Sequence, residues 1–244
     1  MDPLISIITV SYNSEKTIRD TIQSVLDQSY RNIEYIIIDG ASTDKTLDII
    51  KSYEADFAVR KIPYIYFSEP DEGIYFAMNT GISKSKGELI GIINSDDWYE
   101  RDAVEKIVDS YRLNAEYDIF HGCLRFVDKH GNTEAVTGHS QQVLDYGTIE
   151  HPTCFVRSKC YAEIGSYSTK FRSAADYEWM LRARHRGSKF LFHPHLIANF
   201  RRGGMSESNI GRIETLTIRK NYHIISPMKL FSWKLLFRLN DRIK

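Results

Sequence analysis

Short apolar runs alternate with helix-period segments through the first hundred residues. Residues 4–10 (LISIITV), 33–38 (IEYIII), 62–67 (IPYIYF) and 89–93 (LIGII) read as buried strands. Between them, residues 17–26, 46–53 and 74–83 carry apolar positions at helical spacing, and Ser14 is placed to cap the first helix. Gly87 closes the loop into the fourth strand. Repeated strand–helix alternation predicts a mostly parallel central sheet with right-handed crossovers and helices on both faces. Beyond it, residues 102–112 form an amphipathic helix and 117–120 a strand ending at His121-Gly122. Residues 124–136 read as a hairpin turning at 129–132, which makes His130 a solvated turn residue. A strand at 189–192 leads to His193-Pro194-His195, and residues 209–225 are helical in pattern.

Each early strand delivers polar groups at its carboxyl end: Ser11 and Asn13, then Asp39, then Glu69 and Asp71, then Asn94-Ser95-Asp96-Asp97. That edge of an open α/β sheet is where ligands bind. Adjacent carboxylates repel unless a cation lies beside them, and a hard divalent ion touching phosphate oxygens uses such ligands. The other reading has Ser95-Asp96 capping a helix that begins near Glu100, with Asp97 solvated. No G-x-G-x-x-G follows the first strand and no G-x-x-x-x-G-K-[ST] occurs. Phosphate is therefore expected to be held through a bridging metal or basic groups. Asp39 at a strand end suits an imide or amide donor such as a uracil edge.

Composition narrows the class. The 244 residues are 42% hydrophobic and 26% charged, with formal net charge +0. That is a globular chain with no global field for nucleic acid. Cys123, Cys154 and Cys160 lack metal-ligand spacing and suit free thiols in a reducing compartment. The chain enters its first strand directly, without a charged-then-apolar leader, and no apolar run reaches about 18 residues. A cytoplasmic protein is expected.

Four blocks in order, VSYN at 10–13, IIDGASTDKT at 37–46, EPDEGIYFAMNTGI at 69–82 and NSDD at 94–97, resemble glycosyltransferase family 2 over about residues 4–205. The resemblance implies a GT-A (Rossmann-like) fold and an inverting enzyme using a nucleotide sugar and a divalent metal, Mn2+ or Mg2+. It implies that Ser11 and Asp39 contact the base and that Asp71, Gly73 and Asn79 line the nucleoside side. Asn94-Ser95-Asp96 takes the place of the family's D-x-D motif; Asn94 replaces the first Asp, so Asp96 is the expected metal ligand. By itself Asp39 also fits a turn, Gly73 punctuation and Asn79 a solvated helix position.

The second landmark is residues 171–182 (FRSAADYEWMLR). An Asp at a helix start commonly caps it. The resemblance instead makes Asp176 the catalytic base, although Ala175 stands where the family usually has Glu. Trp179 fits an aromatic wall or a core position. His151 is expected near the donor phosphates and acceptor, or as a structural histidine. His193 and His195 are expected to point to opposite sides, which argues against one shared ion. Residues 201–206, with Arg201 and Arg202, resemble a mobile loop that closes on the diphosphate. Arg forks match phosphate.

The expected organisation is a catalytic domain at 1–206 and a C-terminal helical extension at 207–244. Residues 227–244 combine Phe231, Trp233 and Phe237 with five basic residues, which reads as a membrane-surface helix or as packing against the domain or a partner. The expected function is transfer of a hexose-type sugar from UDP to an acceptor hydroxyl, the acceptor being a lipid-linked saccharide in bacterial surface polysaccharide synthesis. A sugar-phosphate nucleotidyltransferase lacks its glycine-rich segment here; a non-catalytic binding or scaffold protein is the alternative that Asn94 and Ala175 keep open.

Overall fold

The computed structural model describes residues 2–128, 130–203, 209–226 and 228. The parallel half follows the apolar runs: β1 (Ile5–Ser11), β2 (Ile33–Asp39), β3 (Tyr64–Ser68) and β4 (Leu89–Asn94). All of β1 and β2 is buried, as continuous apolar strands of a two-sided sheet must be. Their register aligns Ser11 with Asp39, and Asp39 with Ser68. The helices between are α1 (Ile18–Leu26), α2 (Thr46–Ser52), α3 (Glu54–Val59) and α4 (Ile74–Lys84). The segment expected as one helix at 46–53 is thus followed at once by a second, joined at Tyr53.

The second half brings antiparallel pairings into the expected mostly parallel sheet. After β5 (Trp98–Tyr99) and α5 (Ala103–Leu113) come β6 (Ile119–Val127), β7 (Thr133–Thr137), β8 (Phe155–Arg157), α6 (Ser158–Ile164), α7 (Ala175–His185) and β9 (Phe190–Arg201). The order across the sheet is β3-β2-β1-β4-β8-β6-β9-β5, with β7 paired to β6. The short β8 runs antiparallel to both β4 and β6, which leaves β6 and its parallel neighbour β9 running in the same direction as β4. β6 is one continuous strand with bulges around His121–Leu124, not a strand followed by a separate hairpin arm. The hairpin itself forms, and Asp128 holds its turn by accepting from the amides of His130 and Asn132.

Two hydrophobic layers cover the sheet. One joins Ile8, Ile36, Ile90 and Ile119 to Met78, Cys160, Trp179 and Leu181. The other joins Ile7, Ile37 and Phe120 to Ile22, Phe57 and Val104. Gly81 permits the first: a Cβ there would lie 2.5 Å from Ile8 Cγ2, so α4 sits close on β1. The last helix, α8 (Asn209–Asn221), packs on α7; its Ile218 is fully buried in that same layer. Trp179 is a core residue, with its indole N–H donating to the Gly165 carbonyl. Among the described residues no helix is long and apolar enough to cross a membrane. The three thiols are free. The aromatic, basic segment proposed for the membrane surface lies outside the described residues, apart from Met228.

Candidate active site

The loops after β1 and β2 are sewn together. Asn13 adopts a left-handed backbone, with φ 49°, which its short polar side chain tolerates. Its Oδ1 accepts from the Thr43 amide at 2.9 Å, while its own N–H donates to Ser42 Oγ at 2.8 Å. The Ser14 amide donates to Thr46 Oγ1, Glu15 N–H to Asp44, and Lys45 N–H to Glu15. Ser14 does not cap α1. Thr17 holds that position, and the Ser14 hydroxyl bonds the Tyr12 carbonyl and, at 2.7 Å, Ser95 Oγ. Asp39 lies fully buried beneath this seam and accepts from the hydroxyls of Ser11, Ser42 and Ser68 and from the Ser42 amide.

The third loop closes on the same place. A Cβ on Gly40 would come 2.9 Å from Asp71 Oδ2 and 3.4 Å from the Tyr12 ring, so these three residues adjoin. Asp71 Oδ1 accepts the Gly73 amide at 2.8 Å. Gly73 starts α4 at φ 125°, where a side chain would be strained. Asn79, one turn deeper, is fully engaged elsewhere: its amide accepts from Tyr167 N–H and donates to Tyr167 O, both at 2.9 Å.

The acid cluster after β4 forms a turn, with the Asp97 amide donating to the Asn94 carbonyl. Neither Ser95 nor Asp96 caps α5, because β5 intervenes and Asp102 holds the N-cap position. Asp97 is completely buried rather than solvated, as its side chain turns inward to accept the Arg201 amide. Burial, then the charge of Asp96, push its carboxyl well above the usual range. Asp96 is only partly buried, yet desolvation raises its pKa too, opposed by its own backbone amide and by the Arg201 charge. Asn94 Oδ1 and Asp97 Oδ2 have no protein hydrogen-bond partner. Among the described residues no three His, Cys, Asp or Glu side chains gather as a metal cage.

Arg201 is the last residue of β9. It pairs with Asp20 at 2.9 Å and lies over the Trp98 ring. Arg202 pairs with Glu134 at 2.6 Å on the β7 hairpin. Residues 204–208 of the expected mobile loop lie outside the described residues. The His193 and His195 rings stack at 4.4 Å rather than diverging, because alternate residues of a strand share a face.

Asp176 enters from the far half of the chain. It is the second residue of α7, not its N-cap, which is Ala174. Its Oδ1 accepts from the Tyr75 hydroxyl at 2.8 Å. Tyr75 stands in the first turn of α4, next to Asp71 and Gly73, so this bond brings Asp176 to the loop cluster. Burial and then the Asp176 charge hold the Tyr75 phenol protonated. Behind them, His151 Nε2 lies 3.0 Å from Tyr167 Oη, and Tyr167 Oη lies 3.1 Å from Tyr161 Oη. Burial lowers the His151 pKa against the pull of Asp176. Sequence reasoning gave no roles to Tyr75 and Tyr167. Tyr75's signal was its position one turn beyond the third acidic loop; Tyr167 had none.

Strand ends that present Asp39, Asp71 and Asp96 to one edge, with a further carboxylate delivered by a later helix, define a GT-A-type glycosyltransferase architecture. The S. aureus TarS fragment 1–349 solved with UDP-GlcNAc superposes with TM-score 0.69 at 18% identity, over 89% of this chain and 64% of that one. A mannosyltransferase from Pyrobaculum calidifontis, solved with GDP-Man and Mn2+, gives 0.66 at 17% identity, over 88% and 61%. The chain belongs to glycosyl transferase family 2, whose family model matches residues 6–194. An uncharacterized glycosyltransferase of Haemophilus influenzae is 36% identical over 148 residues, 60% of this chain and 57% of that one. The putative teichuronic acid biosynthesis glycosyltransferase TuaG of Bacillus subtilis is 38% identical over 104 residues, 43% and 40%. The chain thus spans about half the length of these curated relatives.

Proposed function

We propose that this family 2 glycosyltransferase moves a sugar from UDP to an acceptor hydroxyl with inversion, using Asp176 as the base. The bond from Tyr75 to Asp176 carries the reading, because it fixes a carboxylate beside the acidic loops that would hold the donor. Tyr75 orients Asp176, which would take the acceptor proton as the hydroxyl attacks from the face opposite the departing UDP. On the donor side, Ser11, Asn13, Asp71 and Gly73 form the base and ribose wall; Asp39, expected to contact the base, lies buried behind it and would reach the base only by exchanging one of its serine bonds. Asn79 supports that wall's neighbour, Tyr167, and His151 faces the same tyrosine. Asn94 and Ser95 flank the diphosphate. Arg201 and Arg202 would exchange their pairings with Asp20 and Glu134 for diphosphate oxygens.

The residues fit a divalent ion. Asp96 is a desolvated carboxylate with Arg201 as its counter-charge among the described residues, and Asn94 Oδ1 is an unused oxygen two residues away. A single protein carboxylate, with phosphate oxygens and water completing the shell, is a common arrangement for Mg2+ and serves Mn2+. Bound at Asp96, Mn2+ or Mg2+ would offset the charge growing on the leaving diphosphate.

A lipid-linked saccharide acceptor at the inner face of a bacterial cell membrane, for a surface polysaccharide, is the reading supported by two things. One is a relative named for teichuronic acid biosynthesis. The other is the basic, aromatic composition of residues 227–244. Incubation with radiolabelled UDP-sugars and a lipid-linked acceptor should give UDP and a glycosylated lipid. Pyrophosphate release would identify a nucleotidyltransferase instead, and UDP binding without any product a scaffold. Deleting residues 227–244 should abolish binding to anionic liposomes at low salt while leaving UDP affinity unchanged; unchanged liposome binding refutes the membrane role.

A further inference from the structure

The helix that carries Asp176 lacks a cap of its own. Ala174 occupies the N-cap position and its methyl group cannot accept a hydrogen bond. The amides ahead of the helix nevertheless all point at one acceptor. Glu214, in the middle of α8, takes the Arg172 amide on Oε1 at 2.8 Å, and those of Ser173 and Ala174 on Oε2 at 2.8 and 3.1 Å. A carboxylate at this end of a helix also complements its dipole. Two further bonds fasten the helices together: Arg219 donates to Tyr177 Oη at 3.2 Å, and the Tyr222 hydroxyl donates to Glu178 at 2.8 Å. Tyr177 and Glu178 directly follow Asp176.

We propose that Glu214 is a positioning residue for the transfer reaction: by gripping the three amides before α7 it sets where Asp176 stands against Tyr75 and the acceptor. This rests on the reading of Asp176 as the base. The grip comes from a helix outside the family-matched residues 6–194, so the base is aimed by a part of the chain that the family pattern does not include. Displacing a reacting group by about 1 Å costs on the order of 100-fold in rate. Losing the grip should therefore lower kcat and leave donor binding, which is built on the β1–β4 loops, unaffected.

The test is a double-mutant cycle with Asp176→Asn in the full chain, measuring kcat, donor KM, UDP affinity by calorimetry and thermal stability. Glu214→Ala should lower kcat roughly 10- to 100-fold, with donor KM and UDP affinity within about threefold. Glu214→Asp, whose shorter carboxylate can still reach part of the loop, should recover part of the loss. In the Asp176→Asn background Glu214→Ala should have little further effect, because there is no base left to aim. An additive loss in that background, or wild-type kcat in Glu214→Ala, overturns the proposal. If Asp176→Asn itself is fully active, the base assignment fails, and that result is separate from the Glu214 one. Should Glu214→Ala not fold, Glu214→Gln keeps the size and one acceptor oxygen but not the charge, and the same cycle applies.

Discussion

His121 offers a quantitative test of the core. It lies on β6 with no exposed surface, between Phe190 and Phe192, and neither ring nitrogen has a protein partner. Burial lowers its pKa from 6.5 to about 4. The native state therefore resists a proton that the unfolded chain accepts readily. Stability is fully present above the unfolded value near 6.5 and falls as the pH drops through it, until the folded pKa is reached. That interval corresponds to about 3 kcal/mol at most, at 1.36 kcal/mol for each pKa unit. In His121→Leu, which is close in volume and does not titrate, this pH-dependent loss disappears. Urea unfolding of both proteins between pH 7.5 and 4 gives the difference directly. The variant should gain on the wild type by about 2–3 kcal/mol over that range, whatever its offset at neutral pH. A difference that stays flat with pH would mean that the histidine has a partner or is reached by solvent.

Asp176→Asn keeps an oxygen for the Tyr75 hydroxyl, so its melting temperature and UDP affinity should hold while turnover falls roughly 100-fold or more; near-normal turnover would leave Asp176 a structural role. Asp96→Ala should abolish the gain in UDP affinity that Mn2+ gives over chelator in calorimetry, and equal binding in both conditions for the wild type would remove the metal from this site. Asn79→Ala deletes both bonds to the Tyr167 backbone and should cost about 1–3 kcal/mol in urea unfolding; a change within error would show that Tyr167 is held by its ring contacts alone.

Much of this architecture was written in period. Continuous apolar runs are what a two-sided strand requires, so β1, β2 and β4 and the carboxyl-end cluster could be read directly. What escaped depends on contacts between distant segments. Nothing local distinguishes Asp96 from Asp97; the turn back to the Asn94 carbonyl and the Arg201 amide bury one and leave the other near the surface. The antiparallel insertion between β4 and β6 is β8, three residues long and too short for a pattern to register. His193 and His195 were misread: a period of two puts them on one face, not on opposite sides as expected. Glu214 was not legible: three main-chain amides forty residues away leave no trace in side-chain identity.

The seam between the first two acidic loops has a consequence for rebuilding this enzyme. Asn13, Ser14 and Glu15 on one side, with Ser42, Thr43, Asp44, Lys45 and Thr46 on the other, satisfy one another's backbone and side-chain groups. Neither loop is a replaceable part. A chimera that imports residues 11–17 from a relative and keeps its own 39–46 strands donors and acceptors on both sides, whereas transplanting the pair together carries their mutual bonds along. The two loops are therefore exchanged as one cassette, and libraries that diversify one loop at a time will mostly sample misassembled rims.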